Sequence, residues 1–173
     1  KAFISLCVIT GNEAETIERF LTSFAPAFDE LCIVRAIGAE PPDQTLQIAR
    51  RWCAANEKRY KSGEYLNEKN DAGARRGPVV EIHPHDPSTW PHVDNFAAAR
   101  NRAWELATGS WQFWADVDDV LIAAKNGEPG GAELLRLCAD AGTHDMFMFT
   151  YSLRHQSESN VRERLFRTGI SRW

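Results

Sequence analysis

Three aspartates, Asp116, Asp118 and Asp119, lie within four residues and directly follow the apolar run at residues 111–115. Like charges this close repel one another, which makes it harder to ionise all three carboxyl groups. A bound divalent cation removes that penalty, and hard ions such as Mg²⁺ and Mn²⁺ take oxygen ligands that they often share with substrate phosphates. Alternate side chains at a strand end point the same way, so the spacing predicts Asp116 and Asp118 as ligands of Mn²⁺ or Mg²⁺.

Two other interpretations of this cluster stay open. In the first, the aspartates form a solvated turn in which Asp118 or Asp119 caps the next helix. In the second, residues 116–120 match the Asp-x-Asp-x-Val signature of haloacid-dehalogenase-like phosphatases, in which the first aspartate is a nucleophile and the second a general acid and base. Those phosphatases carry the motif after their first strand and need a later lysine. Most of this chain precedes the motif, and Lys125 is the one lysine after it.

The composition is that of one soluble globular domain: 173 residues, 43% hydrophobic and 25% charged, with a formal net charge of −4. This charge gives no indication of nucleic-acid binding. No apolar run reaches membrane-spanning length and no signal peptide is recognisable, which predicts a cytoplasmic protein with peripheral membrane attachment still open. The chain opens directly on an apolar run, as a trimmed sequence would. The four dispersed cysteines are predicted to be free, buried thiols.

Apolar runs and helical periodicity alternate along the chain and predict the elements that must position the acidic cluster. Strands are predicted near residues 3–9, 31–34, 79–82 and 111–115, with two late strands near 146–153 and 162–166. Helices are predicted from Ile17, from an N-cap at Asp43 to about residue 54, at 96–107 and at 132–141. Residues 56–78 are predicted to extend the second helix and to continue as a mobile loop.

The order of these elements predicts an α/β fold with a mostly parallel central sheet and helices on both faces. In such sheets, ligands bind beyond the carboxyl ends of the strands, near the point where the strand order switches. The segments that follow the predicted strands therefore form the candidate site: residues 10–13, 35–38, 83–85 and 116–119.

Five segments match short motifs that occur together in one enzyme family. Residues 4–17 are similar to its first strand and Asn-Glu turn. Residues 94–101 and 107–111 are similar to its Ala-Arg-Asn helix and to the Ala-x-Gly-x-Trp entry to the next strand. Residues 116–119 resemble a DXD motif, and residues 164–167 the Arg-Leu-Phe-Arg strand of one bacterial branch. In order and spacing, the chain thus resembles the family 2 glycosyltransferases, which implies a Rossmann-like GT-A fold.

The resemblance implies a metal-dependent, inverting hexosyltransferase that moves a sugar from a nucleotide-sugar donor to a glycan, lipid or protein acceptor. It implies that Asp116 contacts the ribose or orients the metal, and that Asp118 ligates Mn²⁺ or Mg²⁺ across the donor's two phosphates. Arg100 would reach the base or the phosphates, and the alternative is a structural ion pair with an acid such as Asp94 or Glu105. The other residues implied in the nucleotide pocket are Thr10, Asn12 and Glu13.

Two features depart from the family pattern. The acid that usually ends the second strand and contacts the nucleobase is absent, and Arg35 in its place is predicted to contact the base or phosphates differently. No late acid, Glu158 and Glu163 included, matches the catalytic base. Residues 1–173 are therefore predicted to form a single nucleotide-sugar-binding domain that lacks part of the acceptor-binding region. A catalytically inactive nucleotide-binding module is the alternative.

Overall fold

The computed structural model describes residues 3–36, 38, 40–67, 93–122, 127, 130–152 and 159–173, together with the backbone of residues 74–76 and 80–82. Of the segments predicted to line the site, residues 83–85 and residue 37 lie outside these ranges, as do Lys125 and Glu158. No helix within the ranges is long and apolar enough to span a membrane.

A central sheet contains six of the strands that lie in these ranges. In chain order the strands are β1 Ile4–Thr10, β2 Glu30–Ala36, β3 Arg59–Tyr65, β4 Ala74–Arg76, β5 Val80–Ile82, β6 Trp111–Trp114, β7 Met146–Ser152 and β8 Ser159–Arg167. The sheet has the order β3-β2-β1-β6-β8-β7. β3, β2, β1 and β6 are parallel, whereas β8 and β7 run antiparallel to their neighbours. The strand order switches direction between β1 and β6.

Helices cover both faces of this sheet in the part of the chain described: α1 Ile17–Phe24, α2 Thr45–Ala55, α3 Phe96–Glu105 and α4 Gly130–Ala139. Successive residues of a strand face opposite ways. Leu6 of β1 therefore enters the larger core with residues of α1, α2 and α4, whereas Cys7 enters a smaller core with α3. All four cysteines are buried and unpaired, as predicted. The predicted mostly parallel α/β sheet with helices on both faces is confirmed.

The prediction for residues 56–78 is wrong in its first part. α2 ends at Ala55, beyond which Glu57 takes a left-handed conformation (φ 55°) and the Lys58 N–H donates to the Cys53 carbonyl at 2.9 Å. The following residues form β3, which pairs with β2 in parallel register. β3 is an edge strand whose side chains are exposed or half-exposed throughout, so it lacks the apolar run that marks a strand in the sequence.

The strand predicted at residues 79–82 exists in part, but it does not belong to the central sheet. β5 pairs antiparallel with β4, in the register Ala74↔Ile82, and the two form a separate ribbon. The position beside β2 in the central sheet is occupied by β3 instead. A residue pattern indicates that a segment is extended, whereas the sheet that it joins depends on partners elsewhere in the chain.

The amino-terminal end of the sheet contains a fully buried carboxylate, Glu30. It accepts hydrogen bonds from the Ser5 hydroxyl at 2.6 Å and from the Thr108 N–H and hydroxyl at 2.9 and 2.8 Å, and Lys61 Nζ lies 3.2 Å away. Burial by itself would raise the pKa of Glu30, but these partners outweigh burial and lower the pKa to about 2. The network joins three strands at the end of the sheet opposite the acidic cluster.

Candidate functional site

Three strands end side by side at one edge of the sheet. Thr10, the last residue of β1, pairs with Arg35 of β2, and Cys7 of β1 pairs with Trp114, the last residue of β6. The segments that follow these strands therefore share the carboxyl edge, on both sides of the switch between β1 and β6. Residues 10–13, Arg35 and the acidic cluster all lie along this edge.

The acidic cluster forms a turn after β6 and does not continue the strand. β6 ends at Trp114, and the Asp119 N–H donates to the Asp116 carbonyl at 2.9 Å. A second hydrogen bond runs from the Asp116 N–H to Asp119 Oδ2, also at 2.9 Å. Val117 is buried beneath the turn. The strand alternation that predicts Asp116 and Asp118 to point the same way therefore does not extend to Asp118.

Asp119 points inward and is neutralised by Arg164 of β8. Arg164 Nη1 lies 3.0 Å from Asp119 Oδ2, and the two side chains are 7% and 10% exposed. The guanidinium also stacks on Trp114, 3.7 Å from the ring centroid, and donates to the Trp114 carbonyl at 3.4 Å. Burial raises the pKa of Asp119, and the bond from the Asp116 N–H and the charge of Arg164 oppose that rise only in part. Asp119 therefore fixes the turn against β8, and within the described ranges it caps no helix.

Asp116 is paired with Arg100 of α3. Arg100 Nη2 lies 3.1 Å from Asp116 Oδ1, and the two side chains are 24% and 40% exposed. The guanidinium also lies over two aromatic rings, 4.5 Å from the centroid of Trp114 and 4.8 Å from that of Trp173. The structure thus brings together two of the residues predicted for the site, and it joins them by a direct ion pair.

The structural ion pair predicted as the alternative for Arg100 exists, but with a different acid. Glu105 lies 3.7 Å from Arg102 Nη1, and Asp94 accepts a hydrogen bond from the Tyr65 hydroxyl at 2.6 Å. Asp94 and Glu105, the two acids given as examples, are therefore not the partner. Both are close to Arg100 along the chain, whereas the sheet brings the acidic turn next to α3.

Asp118 is exposed, and its side chain makes no ion pair or hydrogen bond within the described part of the chain. Asp116 and Asp118 thus remain on the open side of the turn. No three or more His, Cys, Asp or Glu side chains among the described residues are grouped so as to hold a metal. An ion that completes its shell with substrate phosphates and water needs only one or two protein carboxylates, and this turn provides that number.

The loop after β1 is braced by hydrogen bonds to residues 43–45, at the start of α2. Asn12 Oδ1 accepts a hydrogen bond from the Asp43 N–H at 3.1 Å, and the Glu13 N–H donates to Thr45 Oγ1 at 2.7 Å. The predicted N-cap at Asp43 is wrong by one residue, because α2 begins at Thr45 and its N-cap residue is Gln44, although the Asp43 carboxylate accepts from the Thr45 N–H at 2.8 Å. Thr10 is buried. Asn12 and Glu13 therefore set the shape of this loop, and contact with a nucleotide stays a prediction.

Arg35 is held at the end of β2 with its side chain 12% exposed. Its Nη2 donates to the Glu40 carbonyl at 3.0 Å, and its Nη1 lies 3.8 Å from Glu64 Oε1. Its Nε is buried and has no partner among the described residues. Ile33, two residues earlier, enters the core beneath α1 and α2, so Arg35 faces that side, whereas the acidic turn meets α3 on the other. The structure does not bring Arg35 into contact with the turn.

Two residues at the site are assigned no role by the sequence. Arg164 is buried in β8 and a buried arginine needs an acid partner, but the strand sequence SNVRERLFR contains three arginines and no local pattern marks which one is buried. Trp173 places its ring edge-on against Trp114, with centroids 5.0 Å apart. Its backbone N–H and carbonyl bond to the side chain of Asn101 at 2.9 and 3.0 Å. No local pattern indicates that contact, because the two segments are far apart in the chain.

In sequence, the chain is similar to part of a longer protein. The TPR repeat-containing protein Synpcc7942_0270 of Synechococcus elongatus is 34% identical over 121 residues. The match covers 70% of this chain and 22% of that protein, so the chain corresponds to a minor part of the relative's length. No model of a known protein family matches the chain.

In structure, the chain is similar to TarS of S. aureus, a GT-A glycosyltransferase. The fragment TarS 1-349 matches with a TM-score of 0.60 at 19% identity, over 96% of this chain and 47% of that chain. The same fragment in complex with UDP matches with a TM-score of 0.59. The chain thus spans about half the length of these relatives, and at this identity the likeness establishes the fold alone. The chain has the mixed α/β fold of the GT-A glycosyltransferases.

Proposed function

We propose that the chain is the nucleotide-sugar-binding domain of a metal-dependent, inverting glycosyltransferase of family 2. The observation that carries the proposal is that the three aspartates of the acidic turn differ in burial and in partners. Asp119 is buried in a structural ion pair, whereas Asp116 and Asp118 remain at the open carboxyl edge of a GT-A sheet. An acidic chain that binds a diphosphate must neutralise it locally, and this edge holds both the carboxylates for a cation and an arginine.

In this proposal, Asp116 and Asp118 hold Mn²⁺ or Mg²⁺ against the two phosphates of the donor. The ion would act as a Lewis acid that stabilises the charge on the leaving nucleoside diphosphate. Arg100 adds a guanidinium at the same place, and its planar fork matches phosphate oxygens. Asp119 and Arg164 hold the turn in position before any ligand arrives, so the entropy lost on binding is smaller.

We place the nucleoside where β1 and β2 end. Thr10, Asn12 and Glu13 shape one wall through the braced loop after β1. Arg35, which offers only donors, would meet an acceptor atom of the base or a phosphate oxygen. The solved complex of TarS with UDP supports a nucleoside diphosphate as the class of ligand. A glycan, a lipid or a protein is the acceptor that this hypothesis allows.

The phosphatase alternative loses support from the fold. Its motif follows the first strand of a sheet, whereas the acidic turn follows β6, which comes after β1, β2 and β3 in the chain and pairs with the antiparallel β8. In addition, Asp116, which would have to act as the nucleophile, is held by Arg100 at 3.1 Å. A carboxylate engaged in this way is a weaker nucleophile than a free one.

Nucleotide titration tests the proposal. UDP, GDP, CDP and dTDP are titrated by calorimetry with and without Mn²⁺ against the unaltered chain, Asp118→Asn and Asp140→Asn. Asp140 is an exposed aspartate just after α4 and serves as the matched control. We expect one nucleotide to bind in a Mn²⁺-dependent way, and Asp118→Asn to weaken it by at least about tenfold, since even outer-shell changes at metal sites reach that size.

Two results of these titrations would contradict the proposed site. If no nucleotide binds, or if Mn²⁺ and Asp118→Asn leave binding unchanged, the proposed site is wrong. A second assay then separates enzyme from binding module: slow, Mn²⁺-dependent hydrolysis of the matching nucleotide sugar supports the glycosyltransferase. Hydrolysis of a simple phosphate ester with a phosphorylated Asp116 would support the phosphatase.

A further inference from the structure

We infer that Arg100 is an exchangeable counter-ion: it pairs with Asp116 in the ligand-free chain and transfers to the donor's diphosphate when a divalent cation occupies Asp116. The inference rests on the proposed function, and it adds an order of events to it. Its starting point is the ion pair itself, because the carboxylate that is proposed to hold the cation already has a cation 3.1 Å away.

The charges of the acidic turn favour this exchange. Three carboxylates face two guanidiniums: Arg100 pairs with Asp116, whereas Arg164 pairs with Asp119 at 3.0 Å and lies 4.0 Å from Asp116. Of the three carboxylates, only Asp118 has no partner among the described residues, so one carboxylate is available to a cation. A cation held by Asp116 and Asp118 is repelled by the Arg100 guanidinium, which lies 3.1 Å from Asp116 Oδ1, so binding of the cation favours opening of this pair.

Arg164 cannot be the group that moves. Its side chain is 7% exposed, it is bonded to Asp119 at 3.0 Å, and it is 4.0 Å from Asp116. Removing it from that pair would leave a buried carboxylate without its counter-ion, which is a large penalty. The Arg100 pair is more exposed, at 24% and 40%, and exposed ion pairs are weak. The accessible pair is therefore the one that can open.

The aromatic side chains around Arg100 let its guanidinium change partner without leaving the site. Trp114 and Trp173 lie 4.5 and 4.8 Å from it, and ring faces attract a cation without using its N–H donors. A guanidinium has five N–H groups, and of the described acids only Asp116 accepts from this one. The remaining donors are available to meet phosphate oxygens beside the turn.

The test measures Mn²⁺ and nucleotide affinity separately in the same variants. Free Mn²⁺ is followed by electron paramagnetic resonance without nucleotide, for the unaltered chain, Arg100→Ala and Arg102→Ala. Arg102 lies on the same helix in an exposed pair with Glu105, so it is the matched control. We expect Arg100→Ala to tighten Mn²⁺ binding by roughly two- to fivefold, the range for an exposed ion pair. Arg102→Ala should leave it unchanged.

At saturating Mn²⁺, we expect Arg100→Ala to weaken binding of the preferred nucleoside diphosphate by about tenfold, since a charge-assisted hydrogen bond is lost. Opposite changes in the two affinities are the signature of exchange. An arginine with only a structural role would lower both affinities together with thermal stability. Arg100→Lys keeps a cation over the rings, so it should fold normally and give Mn²⁺ binding close to that of the unaltered chain.

Unchanged or weaker Mn²⁺ binding in Arg100→Ala, with a folded chain, overturns the exchange. Failure of the unaltered chain to bind any nucleotide overturns the proposed function instead, and the two failures are observed in different titrations. If Arg100→Ala does not fold, Arg100→Lys decides between the outcomes: a nucleotide affinity equal to that of the unaltered chain, at saturating Mn²⁺, contradicts the need for the guanidinium fork.

Discussion

Replacement of Asp119 by asparagine separates the structural aspartate from the functional ones. The three aspartates of the turn have the same side chain, but Asp119 faces Arg164 inside the fold whereas Asp118 faces solvent. We therefore expect Asp119→Asn to destabilise the chain strongly, and Asp118→Asn to leave stability unchanged while Mn²⁺-dependent nucleotide binding falls. The two substitutions are chemically identical and one residue apart, so each controls for the other.

The magnitude follows from burial and from the contacts that survive. Breaking a buried ion pair at one partner costs about 3–5 kcal/mol, because the other charge stays buried. Asparagine keeps an acceptor for the Asp116 N–H, and Arg164 keeps the Trp114 ring at 3.7 Å and the Trp114 carbonyl at 3.4 Å. The lower end, about 3 kcal/mol, is therefore expected. In a chain of 173 residues this lowers Tm by roughly 6–12 °C.

Urea unfolding followed by tryptophan fluorescence measures this difference, with Asp118→Asn expected within about 0.5 kcal/mol of the unaltered chain. The double variant Asp119→Asn with Arg164→Met adds a sharper test. Because removing both members of a buried pair costs less than removing one, we expect it to be more stable than Asp119→Asn alone. Equal stability of Asp119→Asn and Asp118→Asn, or a double variant that is less stable still, refutes this account of the turn.

Two further predictions concern the other end of the sheet. The folded pKa of Glu30, about 2, lies below its ordinary value of 4.5, so the stability it contributes is complete above pH 4.5 and is lost as pH falls towards 2. Urea titrations should show a loss of about 3 kcal/mol over that window, and Glu30→Gln should remove that pH dependence. Gly109→Ala should cost about 2 kcal/mol, because its Cβ would lie 2.6 Å from the Phe3 carbonyl oxygen. Gly63→Ala, with no atom closer than 3.6 Å, is the control and should change little by the same titration.

The parts of the fold that the sequence predicts are those in which burial leaves a local pattern. β1, β2 and β6 are covered on both faces, so each appears as an apolar run, and the amphipathic helices between them follow from the 3.6-residue period. β3 lies at the edge of the sheet with its side chains exposed or half-exposed, so they need not be apolar. Its existence depends on pairing with β2, and no local pattern records a partner.

The same distinction separates what the sequence predicts about the site from what it does not. Three aspartates directly after an apolar strand predict that the turn concentrates negative charge at one end of the sheet. That inference does not require knowing which residues contact the aspartates. Which carboxylate is paired depends on two arginines, which α3 and β8 bring to the turn. Arg100 is 16 residues from Asp116 in the chain, and Arg164 is 45 residues from Asp119. A buried arginine needs some acid to neutralise it, but only the structure shows that Arg164 is the buried arginine, because β8 also contains Arg162 and Arg167. Asp119 is that acid. Replacing all three aspartates of the turn together would therefore destabilise the fold and weaken ligand binding at the same time. Only the pair Asp118→Asn and Asp119→Asn keeps the two effects apart.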